Sequence, residues 1–228
     1  MDFDKFSGSY EQDIAESTGF TGQTPDFYRR IKVDHIREIL RRRFESLENL
    51  RVLDVGCGVG LTDELLKAEL PILAGVDVSS RSLDEARCRN PELSYNWSDG
   101  KTLPYPDRSF DMLFAICVWH HVPPEGWDNF VQEMLRVLVP SGILLVFEHN
   151  PWNPFTRAAV SRCAFDCDAT LLSAPMAKRK LIRAGFRHES TDFILFTPLE
   201  SQFLRGIERR ILRKIPIGAQ YALLGSKV

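Results

Sequence analysis

The middle of the chain alternates short apolar runs with segments in which apolar residues recur every three or four positions. Short apolar runs predict buried strands, and the wider spacing predicts helices. The runs predict strands at about 51–55, 72–77, 93–97, 111–117 and 143–148, and the spacing predicts helices near 61–69, 80–89 and 126–138. This alternation is typical of a parallel sheet with helices on both faces.

The segments on either side of this core predict further helices and two more strands. They are a short helix near 10–17, an amphipathic helix from Pro25 to about Leu47, a loop with a short helix from 150 to 173, a helix near 175–184, and strands at 186–196 and 219–224. Pro140, Ser141 and Gly142 are expected to end the helix at 126–138 in a turn.

A glycine-rich turn joins the first predicted strand to the first core helix. Gly56, Gly58 and Gly60 follow Val55, and the helix begins at Leu61. Glycine lets the backbone approach a ligand closely, and the free N–H groups of a helix start can donate to ligand oxygens. The turn therefore predicts a small-molecule site. Nucleotide oxidoreductases use a similar turn, but with a wider spacing before the third glycine.

Two carboxylates follow the next two predicted strands. Asp77 ends the second strand, where a carboxylate can accept hydrogen bonds from both hydroxyls of a ribose. Asp99 follows the third strand and can accept from an exocyclic amine. Capping of a turn or a helix is the alternative interpretation of both residues.

Motifs in this order resemble those of class I S-adenosylmethionine-dependent methyltransferases, in particular the type 11-like proteins. They are Val-Leu-Asp-Val-Gly-Cys-Gly-Val-Gly at 52–60, Gly-Val-Asp-Val-Ser at 75–79, Ser-Asp-Gly and Leu-Pro-Tyr-Pro-Asp within 98–107, Ser-Phe-Asp at 109–111, Val-Trp-His-His-Val at 118–122 and Val-Leu-Val-Pro-Ser-Gly-Ile-Leu at 137–144. The resemblance implies a doubly wound, mostly parallel seven-stranded α/β sheet whose last two strands form an antiparallel pair. It also implies S-adenosyl-L-methionine as the cofactor.

The same resemblance assigns cofactor contacts to residues at the strand ends. Asp54 and the backbone of the glycine turn would hold the methionine end, Asp77 the ribose and Asp99 the adenine amine. Cys117 would line the methionine pocket, with core packing as the alternative. The complete expected set is Asp54, Gly56, Cys57, Gly58, Gly60, Asp77, Val78, Ser98, Asp99, Gly100 and Cys117.

Histidines after the fourth and fifth strands are the candidates for proton transfer. His120 and His121 follow the fourth strand, and Glu148 and His149 end the fifth. Ligands of open α/β sheets bind at these strand ends, and a neutral imidazole can take a hydroxyl proton near neutral pH. We favour His149 as the general base. His121 is the second candidate, because in this superfamily a His-His pair after the fourth strand is often a packing feature.

The acceptor is expected to be a small hydroxylated molecule or a glycan, including one linked to a lipid. The segment from Phe147 to Arg157 resembles a bacterial methyltransferase subgroup of glycan and secondary-metabolite pathways, which favours O-methylation. Transfer to nitrogen or carbon, or cofactor binding without activity, are the alternatives. The side chains expected to contact the acceptor are those of Tyr10, Tyr28, Trp152 and Phe155.

Nucleic acid is not an expected partner. The net charge is -2, so the overall charge balance does not call for a nucleic-acid partner. Asn150-Pro151-Trp152 differs in sequence and place from the Asn-Pro-Pro-Tyr box of enzymes that methylate bases. A basic amphipathic helix at about 203–214 is compatible with contact to anionic lipid or with packing over the sheet edge.

The expected location is the cytoplasm. The five cysteines are scattered through predicted core elements, which is typical of reduced thiols. Cys163 and Cys167 lack two further ligands at metal-like spacing, so no metal site is expected. We expect a single domain over 1–228, with an N-terminal arm and helix at 1–47, a cofactor-binding core at 48–150 and a substrate-side loop, lid helix and final strands at 151–228.

Overall fold

The strands of the computed structural model form a mixed sheet. The structure describes residues 3–5, 8, 10–198, 201, 206–208 and 210–228. The strands are β1 Val52–Val55, β2 Leu73–Asp77, β3 Ser94–Trp97, β4 Phe110–Ile116, β5 Leu138–His149, β6 Phe186–Ile194 and β7 Gln220–Lys227. Their order across the seven-stranded sheet is β3-β2-β1-β4-β5-β7-β6, and β7 runs antiparallel to both neighbours. The predicted doubly wound, mostly parallel sheet is confirmed.

Helices cover both faces of this sheet. The α-helices of the described chain are α1 Tyr10–Thr18, α2 Pro25–Arg43, α3 Leu61–Leu66, α4 Ser80–Arg89, α5 Trp127–Val137, α6 Pro154–Val160 and α7 Ala174–Ala184. Buried residues of α2 and α3 belong to one hydrophobic cluster, and those of α5 and α7 belong to another. The sheet lies between these two clusters.

The central strand β4 shows why the sheet could be predicted from apolar runs. Met112 and Phe114 lie in the cluster with α2, whereas Leu113 and Ala115 lie in the cluster with α5. All four side chains are buried. A strand covered on both faces needs apolar residues at successive positions, so its sequence is a continuous apolar run.

The helix predicted from Pro25 to about Leu47 is shorter in the structure. It ends at Arg43, and Phe44 is extended, with φ -125 and ψ 133. The last turn consists of Arg41, Arg42 and Arg43. Positive side chains stabilise the carboxyl end of a helix, because the helix dipole is negative there. The arginines therefore mark the end of the helix, which the apolar pattern alone extended too far.

The turn predicted at Pro140, Ser141 and Gly142 is instead part of β5. The strand pairs with β4 at Leu138 and again from Ile143 onward, with a shift of register between these points. Ser141 has a φ of 64, and proline cannot donate to a ladder. The segment is therefore an irregularity within the strand, and α5 passes directly into β5.

The predicted basic helix at 203–214 can be followed only in part. Residues 206–208 are helical, and Leu212–Lys214 form a 3-10 turn. Residues 203–205 and 209 of this prediction lie outside the described residues. Within the described part of the chain, every helix is too short or too polar to cross a membrane.

Candidate active site

A cavity of about 590 Å³ opens at the carboxyl ends of the parallel strands. The turn after β1 and the ends of β2 and β4 form its floor, and residues of α1, α2 and α6 form its walls. The volume is in the range of small-molecule sites, about 300–1,000 Å³. Ligands of open α/β sheets bind at this edge.

The backbone of the glycine turn faces this cavity. Gly56 and Gly58 have φ values of 76 and 54, which favour glycine. A Cβ at Gly56 would lie 2.4 Å from Cγ2 of Val118, whereas a Cβ at Gly58 would meet nothing within 4 Å. The open space at Gly58 is available to a ligand, and the crowding at Gly56 explains why a side chain is absent there.

Asp77 both supports this turn and lines the cavity. Its Oδ2 accepts a hydrogen bond from the N–H of Gly58, and its Oδ1 accepts from the N–H of Ser79, each at 2.8 Å. Burial raises the pKa of Asp77, although these N–H groups act in the opposite direction. Asp77 therefore caps the turns at Gly58 and Ser79, and it also lies where it could contact a ligand.

Asp99 closes the other end of the cavity in a similar way. Its Oδ1 accepts from the N–H groups of Lys101 and Thr102, each at 2.8 Å. These hydrogen bonds lower the pKa of Asp99, which keeps the exposed carboxylate ionised. Val78, Ser98 and Gly100 also line this end of the cavity, together with Asp99.

A buried pair of carboxyl groups lies below the glycine turn. Oδ1 of Asp54 is buried and has no hydrogen-bond partner among the described residues, and Asp54 and Cys57 line the cavity. Burial raises the pKa of Asp54, and the neighbouring carboxyl group of Asp63 raises it further. Asp63, with a pKa of about 6, accepts from the Tyr95 hydroxyl at 2.9 Å. Sequence reasoning missed Asp63 and Tyr95.

Gly60 lies outside the cavity lining, in contrast to its expected cofactor contact. A Cβ there would lie 2.8 Å from Nδ2 of Asn90 and 3.0 Å from the hydroxyl of Tyr95. Asn90 donates to the carbonyl of Gly60 at 2.9 Å. The absence of a side chain at Gly60 therefore allows close packing of the turn against the end of α4.

His120 lies between two buried carboxylates at the ends of β4 and β5. Its Nδ1 donates to Oε2 of Glu148 at 2.5 Å, and its Nε2 lies 3.5 Å from Oδ1 of Asp166. Burial lowers the pKa of His120, but Glu148 and Asp166 outweigh burial, so the pKa lies well above the usual value. Glu148 is also held by the N–H of Trp119 at 2.7 Å. Sequence reasoning assigned no role to Asp166.

The two predicted base candidates contact this charged pair. The ring centroids of His121 and His149 lie 4.2 Å and 4.9 Å from that of His120, and both residues line the cavity. Burial, followed by the charge of His120, lowers the pKa of each to about 4. Both imidazoles are therefore uncharged at neutral pH.

Nitrogen and oxygen atoms of His120, His121 and Asp166 lie within 4.8 Å of one another and could together hold a metal ion. The same arrangement is explained by charge pairing, because a protonated His120 forms an ion pair with Asp166 and with Glu148. A protonated ring nitrogen has no lone pair for a metal. The ion pairs therefore explain why these side chains lie close together without a metal ion.

The end of β4 carries a residue in an unusual conformation. Cys117 has a φ of 57, which is uncommon for residues other than glycine and is often found at functional sites. Its side chain lines the cavity, and Gln220 donates to its sulfur at 3.5 Å. Burial raises the pKa of this thiol. The position of Cys117 is therefore compatible with the expected role in the methionine pocket and with core packing.

The structure separates the four predicted acceptor residues. Tyr28 and Phe155 line the cavity, and the Tyr28 hydroxyl is hydrogen-bonded to Thr21. Trp152 is 54% exposed and lies outside the cavity lining. Its turn is folded by the Asn150 side chain, which accepts from the N–H of Trp152 at 3.2 Å. The side chain of Tyr10 lies outside the described residues.

Comparison with known proteins identifies the domain that contains this cavity. Residues 53–146 match the sequence model of a methyltransferase domain. Residues 53–146 are therefore a methyltransferase domain, and the sheet has the fold of class I S-adenosylmethionine-dependent methyltransferases. A structure from Thermotoga maritima, titled a possible histamine N-methyltransferase, covers 99% of this chain and 98% of its own at 20% identity, with a TM-score of 0.69. At this identity the likeness shows the shared fold.

Two curated relatives each match about half of this chain. The methyltransferase GfsG of Streptomyces halstedii is 35% identical over 50% of this chain and 42% of its own length. The trans-aconitate 2-methyltransferase of Variovorax paradoxus is 31% identical over 54% of this chain and 48% of its own. The chain therefore spans less than half of each of these relatives.

The cavity residues fit S-adenosylmethionine, the cofactor of this family. The open backbone at Gly58 leaves room for a ligand, and the unpartnered Oδ1 of Asp54 can accept a hydrogen bond. Asp77 and Asp99 line the cavity toward β2 and β3, where carboxylates can accept from ribose hydroxyls and from an amine.

Proposed function

We propose that the protein methylates a hydroxyl group of a small hydroxylated or glycan-type acceptor. When bound, S-adenosylmethionine supplies the methyl group as a sulfonium electrophile. Transfer forms a carbon–oxygen bond, breaks the carbon–sulfur bond and releases the hydroxyl proton. Beyond alignment of the two reactants, the protein must provide an acceptor for that proton.

The observation that carries this proposal is the uncharged imidazole of His149 on the cavity wall. Its pKa of about 4 results from burial and from the adjacent His120 charge. The ring therefore has an available lone pair at neutral pH. Asp166 and Glu148 act against burial and the His120 charge, so these carboxylates reduce the cost of the imidazolium that forms when the ring accepts the proton.

Gln220 can direct the lone pair of this imidazole toward the acceptor. The Gln220 side-chain nitrogen lies 3.3 Å from Nδ1 of His149, and its Oε1 is buried without a partner among the described residues. Rotation of the amide by half a turn would pair Oε1 with an N–H at Nδ1. The lone pair would then be on Nε2.

Aromatic side chains give this part of the cavity the character of a site for a ring-shaped acceptor. Phe3, Tyr28, Phe155 and Phe165 line the cavity, and Phe155 stacks with Phe20 at 6.4 Å between ring centroids. Aromatic walls suit apolar and sugar rings. The names of relatives range from 27-O-demethylrifamycin SV methyltransferase to demethylmenaquinone methyltransferase, so no single acceptor can be transferred from them.

Replacement of His149 by alanine tests the base. We expect His149→Ala to lower turnover by about 10²–10⁴-fold, the usual contribution of a general base, with S-adenosylhomocysteine affinity unchanged. Formation of S-adenosylhomocysteine is measured against a panel of hydroxylated acceptors. His188→Ala is the control, because His188 lies on β6 and bonds Thr191.

The alternatives predict different results in the same assay. Unchanged turnover in His149→Ala would show that His149 is not the general base. That result would favour either transfer to nitrogen or carbon, or His121 as the base. A wild-type protein that binds the cofactor but methylates no acceptor of any class would favour a binding protein without activity.

A further inference from the structure

A lysine on α2 enters the wall of the cavity. Lys32 is one helical turn from Tyr28 on the same face of α2, and both residues line the cavity. Only 9% of Lys32 is exposed, and it belongs to the buried face of the helix together with Val33 and Ile36. The sequence therefore places a cation where the helix otherwise buries apolar side chains.

This lysine has no counter-ion among the described residues. Its ammonium group makes no hydrogen bond or ion pair with those residues, and its nitrogen is open to the cavity and not enclosed by protein. The neighbouring cavity residue Arg29 is paired, with Asp26 at 3.2 Å and with Glu11 at 2.7 Å. Buried charges in proteins are normally paired, because an uncompensated one costs several kcal/mol.

The two buried carboxylates at the ends of β4 and β5 are already paired with another cation. Glu148 and Asp166 form ion pairs with His120 at 2.5 and 3.5 Å. Burial raises the pKa of the Cys117 thiol, so this neighbour is uncharged and does not serve as the counter-ion.

Four further carboxyl groups line the cavity. Asp77 and Asp99 accept backbone hydrogen bonds. Glu133 pairs with Arg136 at 2.8 Å. Burial raises the pKa of the fourth, Asp54.

Lys32 also acts on groups at the ends of β4 and β5. Burial lowers the pKa of His149, and the charge of Lys32 contributes in the same direction. For Cys117, burial raises the pKa, and Lys32 opposes this effect. These two effects indicate that the ammonium group lies near His149 and Cys117, which line the cavity at the ends of β5 and β4.

We propose that Lys32 binds a carboxylate group of a ligand in this cavity, at the ends of β4 and β5. The inference rests on the proposed methyl transfer, because both possible sources of the carboxylate take part in that reaction. One source is the methionine carboxylate of the cofactor, and the other is an acidic group of the acceptor. Either would supply the missing negative charge.

The first experiment compares two nucleosides that differ in the carboxylate. Binding of S-adenosylhomocysteine and of 5′-methylthioadenosine, which has no carboxylate, is measured by calorimetry for the wild type and Lys32→Met. If the cofactor supplies the carboxylate, Lys32→Met weakens S-adenosylhomocysteine binding at least ~30-fold, as expected for a buried charge pair. Methylthioadenosine binding stays the same.

The second experiment tests the acceptor as the source. The S-adenosylhomocysteine complex is titrated with 4-fluorobenzoate and with the neutral 4-fluorobenzamide, and binding is followed by fluorine NMR. If the acceptor supplies the carboxylate, the wild type binds the benzoate at least ~30-fold more tightly than Lys32→Met does. Benzamide binding and S-adenosylhomocysteine binding are then equal in both proteins.

Two variants control for charge and for folding. Lys178→Met removes a lysine of α7 that lies outside the cavity lining and is expected to change neither comparison. Lys32→Arg keeps the charge and is expected to retain most of the carboxylate preference.

The outcomes separate this inference from the proposed function. The proposal is overturned if Lys32→Met binds both nucleosides and both fluorinated probes as the wild type does. Neither readout needs turnover, so an inactive protein would contradict the methyl-transfer proposal and leave this one intact.

Discussion

The two ends of the cavity are built in different ways. At the β1–β3 end, backbone N–H groups, glycines and carboxylates come from the turns that directly follow the strands, such as Gly58 and Asp77. At the β4–β5 end, charged and aromatic side chains come from distant parts of the chain, such as Lys32 and Asp166. The first end has the groups that a nucleoside cofactor requires, and the second has the groups that we propose contact the acceptor.

The largest expected effect is the loss of the cofactor end through Gly56→Val. The new side chain would require a left-handed φ and would collide with Val118, 2.4 Å from its Cβ. We expect S-adenosylhomocysteine affinity to fall at least ~100-fold, because backbone strain and steric overlap each cost on the order of 1–3 kcal/mol. Calorimetry measures the affinity.

Gly19→Ala is the matched control for that variant, because a Cβ at Gly19 would meet nothing within 4 Å. Gly56→Val with wild-type affinity would show that the turn does not position the cofactor, and the comparison between the two ends would fail.

The next largest effect concerns the stability of the β4–β5 end. Glu148→Gln removes one partner of the buried ion pair with His120, and breaking such a pair costs about 3–5 kcal/mol. Chemical denaturation measures the free energy of unfolding. Glu189→Gln is the control, since Glu189 pairs with Arg43 near the protein surface. Equal losses in both variants would contradict a special role for the buried pair.

The ion pair also predicts how stability depends on pH. The pKa of His120 is raised in the folded state, so its contribution is complete below the unfolded pKa of about 6.5. The contribution is lost as pH rises through the folded pKa. In Glu148→Gln this loss at alkaline pH is expected to shrink. A variant with the wild-type pH dependence would show that Glu148 does not set the charge of His120.

A smaller effect is expected in the pH profile of turnover. His149, with a pKa of about 4, is uncharged throughout the neutral range. Turnover controlled by this group is therefore flat near neutral pH and decreases only as pH falls toward about 4. Initial rates in a series of buffers measure the profile. A decrease already centred near pH 6.5 would indicate an imidazole that is not desolvated, and His149 would lose its role.

The smallest effect distinguishes two aromatic residues of the same loop. Phe155 lines the cavity although it is 67% exposed, whereas Trp152 lies outside the lining. Phe155→Ala is expected to weaken acceptor binding by about tenfold, and Trp152→Ala is expected to leave it unchanged. The Michaelis constant for the acceptor measures both. The reverse order would show that the loop closes differently over the acceptor.

The same contrast explains what the sequence could predict. The strands and the glycine turn were predictable, because buried strands need continuous apolar runs and a left-handed backbone needs glycine. Asp77 was predictable because it directly follows a strand. These properties depend on neighbouring residues, so one sequence contains the signal.

The β4–β5 end was less predictable for the opposite reason. Asp166 approaches His120 only after the chain folds back over the sheet, and no local pattern indicates this contact. Lys32 did leave a signal, because it lies four residues before the buried Ile36 on a helix. A lysine within an apolar stripe could have been recognised, but its missing counter-ion could not.

Binding of S-adenosylhomocysteine to the purified protein, measured by calorimetry for the wild type and Asp77→Asn, tests the central claim most directly. The cavity described above predicts saturable binding of one nucleoside per chain to the wild type and markedly weaker binding to the variant. Absence of binding to the folded wild type, or equal affinity in both proteins, would contradict the assignment of the β1–β3 end as the cofactor site.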